Sequence, residues 1–426
     1  MTFKRLNYDT PRGQAGRPNF RIAGFTPMTS FRGPILLRMR RDFAAGWAEG
    51  RFHWIRPILL LAALASAAWL IHSWPITWNS AVAPAPQQLW SIDLSLDPDF
   101  RKRIERDEVL LAPPSLAFLN QAQIICSYYS RGLLVEGEGA GNGYHVLEIS
   151  SRDGTRGTKL TFDALEDGYR SLPVADGGFV VLAGDKLTKY TNQFKLSAVV
   201  PTPRVMAGET YDRWYIGVSP TGKTVLLYSR RVGQDGEWKW LDSTTLSTVA
   251  AVSSPGTAPG SDIEASDDAA IRRKDLGRVL FNARGERAIC SRCDAYFVDD
   301  RTFLIDKDSR YFIETENGNE ILNGKLDVGV SDFARSAAAP EIAFATGHYL
   351  YHGLPVIAQH WYAVTGTVIV LDWKTKEVVT QLSWKEPIGN PSAGLRQMAL
   401  ALSPDGTRLA ILLHHTLTLY LIPSRG

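Results

Sequence analysis

Sulfur is scarce in this sequence, with three cysteines and five methionines among 426 residues. A structural zinc site asks for four ligands, and the only cysteine pair on offer is Cys290-Ser-Arg-Cys293. Catalytic signatures are missing as well. No Gly-x-Ser-x-Gly nucleophile elbow occurs, nor any other hydrolase motif. A broad basic surface is also lacking. The net charge is +3, yet residues 1–56 alone hold eleven Lys/Arg against Asp9, Asp42 and Glu49, an excess of +8. Everything after the tail is therefore mildly acidic, which argues against a nucleic-acid partner. Finally, helical periodicity is sparse beyond residue 87.

One uncharged apolar run breaks this pattern. Ile58 to Ile71 reads Ile-Leu-Leu-Leu-Ala-Ala-Leu-Ala-Ser-Ala-Ala-Trp-Leu-Ile, and the uncharged stretch continues past Trp74 and Trp78. Basic residues stay on the cytoplasmic side of a membrane, and Trp favours its interfaces. A span needs about 20 residues, which 57–78 supplies. The expected organisation is a basic, disordered cytoplasmic tail at 1–56, an anchor or uncleaved signal at 57–78, a Pro/Ala linker at 79–86, and a β-domain at 87–426. That places the chain in a bacterial inner membrane, single-pass, with its C-terminal domain in the periplasm. The alternative is secretion after cleavage at Ala81-Val-Ala83 or Ala83-Pro-Ala85. Both sites are followed by a proline, Pro84 or Pro86, that hinders the scissile bond. A cleaved signal would also fit better if the true start were Met28 or Met39.

The β-domain announces itself through its turns. Met398-Ala-Leu-Ala-Leu runs into Ser403-Pro-Asp-Gly406 and resumes at once as Leu409-Ala-Ile-Leu-Leu. Trp214-Tyr-Ile-Gly-Val, Ser219-Pro-Thr-Gly222 and Val225-Leu-Leu-Tyr228 repeat the arrangement. Such interruptions mark hairpins, and their recurrence marks a repeat architecture. Seven units of β-type sequence can be drawn between Leu110 and the C-terminus. The last offers only three strands, and Leu89-Trp-Ser-Ile-Asp-Leu94 is free to supply a fourth, closing a ring and covering the last sheet edge.

On these turns and this spacing the chain resembles the seven-bladed β-propeller superfamily, of the WD-repeat-like and TolB-like kind. The resemblance implies an all-β domain of seven four-stranded blades; six or eight blades, or an unrelated sandwich, remain alternatives. The Gly-His and Trp-Asp dipeptides of true WD repeats are missing at regular positions.

Several motifs invite chemistry and lose it on inspection. Gly217-Val-Ser-Pro-Thr-Gly222-Lys223-Thr224 matches the phosphate-loop consensus letter for letter, but a strand follows it where a helix is needed. The alternating glycines 137, 139, 141 and 143 lack the spacing and the helix of a dinucleotide loop. Asp306-Lys-Asp308-Ser-Arg310 lacks the glycine and distal glutamate of a calcium loop. Cys290 and Cys293 have β-like flanks, so a disulfide is expected and not a thioredoxin-type site. Cys126, in an apolar strand, reads as core.

The remaining lead is a segment of the sixth unit holding His348, Tyr349, Tyr351, His352, His360, Trp361 and Tyr362. Function concentrates on loops carried by rigid scaffolds, and Tyr and Trp dominate binding hot spots. The histidines could also hold a metal, although no ligand spacing singles that out, and no cofactor is expected. Two functions follow. One is a membrane-tethered module binding a protein or envelope ligand through this loop. The other is an exported hydrolase, lyase or quinoprotein-like enzyme with its site at the mouth of a central channel.

Overall fold

The structure is a computed structural model. It describes residues 83–104, 114–130, 143–163, 170–183, 186–201, 214–229, 236–254, 263–274, 277–326, 329–349, 364–385 and 398–424. Most of them lie in seven four-stranded antiparallel sheets.

Chain order begins with β1 (Gln87–Asp93), one 3-10 turn and a short helix α1 (Pro98–Ile104). Blade 1 is β2 (Ser115–Phe118), β3 (Gln123–Tyr129), β4 (Gly143–Ser150) and β5 (Arg156–Asp163). Blade 2 is β6 (Arg170–Pro173), β7 (Phe179–Ala183), β8 (Lys186–Tyr190) and β9 (Leu196–Pro201). Blade 3 is β10 (Trp214–Val218), β11 (Thr224–Ser229), β12 (Gly236–Asp242) and β13 (Thr248–Ser254). Blade 4 is β14 (Glu264–Ala265), β15 (Ala269–Lys274), β16 (Gly277–Asn282) and β17 (Gly285–Ser291). Blade 5 is β18 (Cys293–Asp299), β19 (Thr302–Lys307), β20 (Arg310–Thr315) and β21 (Glu320–Lys325). Blade 6 is β22 (Asp332–Arg335), β23 (Glu341–Tyr349), β24 (Val364–Asp372) and β25 (Glu377–Lys385). Blade 7 is β26 (Met398–Leu402), β27 (Arg408–Leu413) and β28 (Thr416–Leu421), completed by β1 in the order β1-β28-β27-β26.

The core explains why these strands read as continuous apolar runs and not as alternating ones. Each sheet packs on a neighbour through both faces, so a second strand such as Val225-Leu-Leu-Tyr228 is buried along its whole length. Seven hydrophobic clusters fill the seven gaps. Blades 1 and 2 meet through Ile125, Val146 and Phe179, and blades 2 and 3 through Val180, Leu187 and Val225. Blades 3 and 4 meet through Trp238, Trp240 and Phe281, and blades 4 and 5 through Ile271, Phe297 and Phe303. Blades 5 and 6 share Leu304, Phe344 and Ile369; blades 6 and 7 share Val368, Leu400 and Leu409. The last cluster joins blade 7 back to blade 1 through Leu412, Leu417, Ile124 and Leu147. The ring is closed. This is a seven-bladed β-propeller.

Two repeated devices shape the blades. In every one the register shifts between the third and fourth strands, as at Trp240/Leu241 and Val370/Leu371. Bulges of this kind add twist to the outer edge. The closing strand β1 is held at both ends: Thr380 Oγ of blade 6 donates to the Pro84 carbonyl at 2.6 Å. Beyond its far end Asp97 caps α1, accepts from Tyr128 at 3.2 Å and pairs with Lys159 at 3.1 Å, fixing the crossing to blade 1.

The segment 57–78 lies outside the described residues. Among the described residues no helix is long and apolar enough to cross a membrane.

Candidate functional site

Alternating strand directions sort the connections onto two faces. Turns between first and second strands, and between third and fourth, emerge on one side, called here the hairpin face. Connections between second and third strands, and crossings to the next blade, emerge on the other.

The hairpin face is built from tight turns, and those after the first strands of blades 3 and 7 share one design. In blade 7, Arg408 N–H donates to Ser403 Oγ at 2.9 Å, and Gly406 adopts φ +72°. In blade 3, Thr224 N–H donates to Ser219 Oγ at 3.2 Å, and Gly222 adopts φ +71°. Only glycine takes such angles without strain. The phosphate-loop match is thus a β-turn between β10 and β11. Blade 2 holds a third version at Val174–Gly178, where Gly177 has φ +79°. At Asp405, burial opposes ionisation, but hydrogen bonds from Ser403 and Thr407 outweigh it and hold the carboxyl at about 2.

These turns are also stitched from blade to blade. Ala175 N–H donates to the Gly222 carbonyl at 2.9 Å, and Thr221 Oγ donates to Asp267 at 2.9 Å. Asp267 N–H donates to Asp300 at 3.2 Å, and Ala338 N–H donates to the Pro404 carbonyl at 2.8 Å. Arg408 reaches back to the Gln121 carbonyl at 3.1 Å.

The opposite face carries the long connections 130–142, 202–213, 350–363 and 386–397. The last three strands of blade 6, nine residues each, support one of these. Gly347 pairs with Gly366, and a Cβ on Gly366 would stand 2.2 Å from the Trp384 ring. That glycine lets the indole lie across the hairpin. The segment read from sequence as a loop therefore starts later than expected. His348 and Tyr349 belong to β23, paired with Thr365 and Val364. Tyr351, His352, His360, Trp361 and Tyr362 lie outside the described residues.

Cys290 and Cys293 are joined as a disulfide, with Cα atoms 6.0 Å apart, where β17 gives way to β18 on this same face. Cys126 is buried outside any disulfide, in the core between blades 7 and 1. Asp306-Lys-Asp308-Ser-Arg310 is a two-residue hairpin with both Asp308 and Ser309 at positive φ; Asp306 accepts from Val330 N–H at 2.6 Å. Of the glycine run, only Gly143 is described, at the start of β4. Among the described residues no cluster of His, Cys, Asp or Glu could hold a metal.

The channel contains a residue that sequence reasoning missed. Arg335, at the end of the innermost strand of blade 6, donates to the Phe297 carbonyl of blade 5 at 2.9 Å. It also pairs with Glu264 of blade 4 at 3.3 Å and donates to the Val218 carbonyl of blade 3 at 3.0 Å. These partners all lie on innermost strands, so the guanidinium spans the axis near the hairpin face. Farther along β22, Asp332 accepts from Leu400 N–H of blade 7 at 2.6 Å. Burial pushes its carboxyl up to about 7. Nothing local in Asp332-Phe-Ala-Arg335 signals either role, which depends on four blades converging.

No protein family matches the chain, and no curated protein does either. Solved structures similar to it include the WD40 domain of Neurospora crassa Pan2, at 10% identity, covering 82% of this chain and 99% of that one, TM-score 0.49. A chain of the mitotic checkpoint complex is similar at 10% identity, covering 82% and 98%, TM-score 0.46. A chain of Kuenenia stuttgartiensis hydrazine synthase is similar at 13%, covering 74% and 97%, TM-score 0.44.

Proposed function

We propose that this propeller is a binding module for a protein or envelope ligand, held at a bacterial inner membrane by residues 57–78 and working in the periplasm. The observation that carries the binding role is the contrast between the faces: one is stitched by short turns, the other bears four long connections on a rigid base. The nine-residue strands of blade 6 support the 350–363 connection, which contains His352, His360, Trp361 and Tyr362. Aromatic side chains on a preformed scaffold lose little entropy on binding.

The membrane reading rests on the basic tail and the uncharged run after it. The propeller suits such a tether, because β1 begins at the hairpin-face end of blade 7, where Gln87 pairs with Leu421. The long connections thus leave from the side opposite to the linker. Arg335, lying across the channel, favours a partner on the face over a substrate passing through the axis.

Crosslinking intact cells that carry the tagged full-length chain, followed by mild detergent extraction, tests this. The expected result is one reproducible envelope protein that disappears when 350–363 is replaced by a Gly-Ser segment. Recovery of the same protein with the replaced segment removes blade 6 from the reading. Fractionation of the chain with soluble protein removes the tether.

A further inference from the structure

We infer that the Cys290–Cys293 disulfide is an exchangeable redox pair, which accepts two electrons from an external dithiol while the propeller stays folded.

Four observations converge on this bond. First, it sits where a reductant can reach it. Both cysteines are half-buried, the intervening Ser291 and Arg292 are exposed, and the site is on the long-connection face. Second, the fold does not depend on it. Cys290 is already paired in the ladder with Arg278, and Cys293 with Lys307. A loop this short also constrains the unfolded chain least among disulfide loops.

Third, Arg292 is held at φ +52°, the left-handed region that a side chain other than glycine enters at a cost. Opening the bond lets that residue relax. Fourth, the surroundings are cationic. Arg272 and Lys274 pair with Glu286, and Arg278 pairs with Asp294. Arg287 and Arg292 are exposed and have no carboxylate partner among the described residues. Neighbouring guanidinium groups favour a thiolate over a thiol. Stabilising the reduced form makes the bond a better electron acceptor.

The exchange balances without any further reagent. One thiolate of the external dithiol attacks a cysteine sulfur, breaking the Cys290–Cys293 bond and expelling the other cysteine as a thiolate. The second external thiolate then attacks the mixed disulfide and releases the first cysteine. The external dithiol leaves as a disulfide, and its two protons distribute over the released cysteines and solvent. This chemistry is independent of whether the face binds a partner.

The test equilibrates purified full-length protein in dithiothreitol buffers of graded reduced-to-oxidised ratio, traps thiols with an alkylating reagent in acid, and reads mass. Circular dichroism follows the fold in parallel. The expected result is two new alkylated cysteines with the β-sheet signal intact, while buried Cys126 stays unmodified until unfolding. Arg292→Glu should raise the reductant ratio needed at the midpoint by about tenfold, corresponding to roughly one unit in the thiol pKa. Reduction that occurs only together with unfolding overturns the proposal. So does a midpoint unmoved by Arg292→Glu.

Discussion

On the hairpin face, short turns repeat a small set of hydrogen-bond designs and clasp one another from blade to blade, as Thr221 clasps Asp267 and Arg408 clasps the Gln121 carbonyl. On the opposite face the connections differ in length and composition, and the nine-residue strands of blade 6 support one of them. Repetition on one side and variety on the other divide the labour. Where chain is tightly turned and cross-linked, substitution should change stability. Where chain is long and rests on completed sheets, substitution should change what is bound. Each experiment below presses on that division, in order of expected effect on stability.

Gly406→Val should be the most damaging. The position has φ +72°, and any Cβ would stand 2.3 Å from a Glu341 carboxylate oxygen of blade 6 and 3.1 Å from the Ala339 Cβ. The carboxylate end can swing aside, so backbone strain and the Ala339 contact dominate, for a loss of about 3 kcal/mol. Denaturant unfolding measures it. A loss below about 1 kcal/mol would mean the hairpin face is less rigid than its bonding suggests.

Arg335→Ala comes next. It strips one partner from Glu264 and from two backbone carbonyls at once, and a buried group left unsatisfied costs more than a bond contributes. A loss of about 2–3 kcal/mol is expected. Arg335→Lys should recover little of it, since a single ammonium cannot serve three blades in the way a planar fork does. Full recovery by lysine would show that charge alone, and not reach, matters at the axis.

What could be read from sequence follows the same division. Ser219-Pro-Thr-Gly222 and Ser403-Pro-Asp-Gly406 were legible because their turn demands particular residues. The turn at Val174–Gly178 escaped notice because valine replaces the serine while Gly177 keeps the geometry. A second repeat was present but unread. Asp242-Ser-Thr-Thr245 and Asp372-Trp-Lys-Thr375 both place an Asp carboxylate where it accepts from backbone N–H groups two and three residues on. The residue after each stands at positive φ, Leu246 at 57° and Lys376 at 67°. Short-range turn chemistry leaves such signatures. Arg335 and Asp332 leave none, because their partners come from Val218, Glu264, Phe297 and Leu400, brought together only by ring closure. The candidate loop was legible as composition, yet the strand pairing of His348 and Tyr349 with Thr365 and Val364 was not, since it depends on a partner strand fifteen or more residues away.

Asp332 sharpens the comparison through pH. Its folded carboxyl titrates at about 7 against an ordinary value of 3.8, so the folded state holds its proton more tightly. The stability this contributes is complete below about pH 4 and is lost as pH rises through 7. Asp332→Asn removes that dependence. Its midpoint in urea should be similar to that of the parent below about pH 4. At pH 8 it should be higher, by on the order of 2 kcal/mol after discounting for partial solvent access. Parallel pH profiles for the two proteins would show that the Asp332 carboxyl ionises freely.

Replacing 350–363 with a short Gly-Ser segment should move stability least. The strands that flank it, β23 and β24, are paired through nine positions and packed into two inter-blade clusters. Halving the length of a connection changes closure entropy by only about 0.6 kcal/mol. A thermal midpoint within a few degrees of the parent is therefore expected, together with loss of the crosslinked partner. The two readouts separate the possibilities cleanly. Loss of partner with an unchanged midpoint assigns binding to this face. A large fall in the midpoint would instead place the segment among the structural parts of the ring, and the difference between the two faces would then be one of length alone.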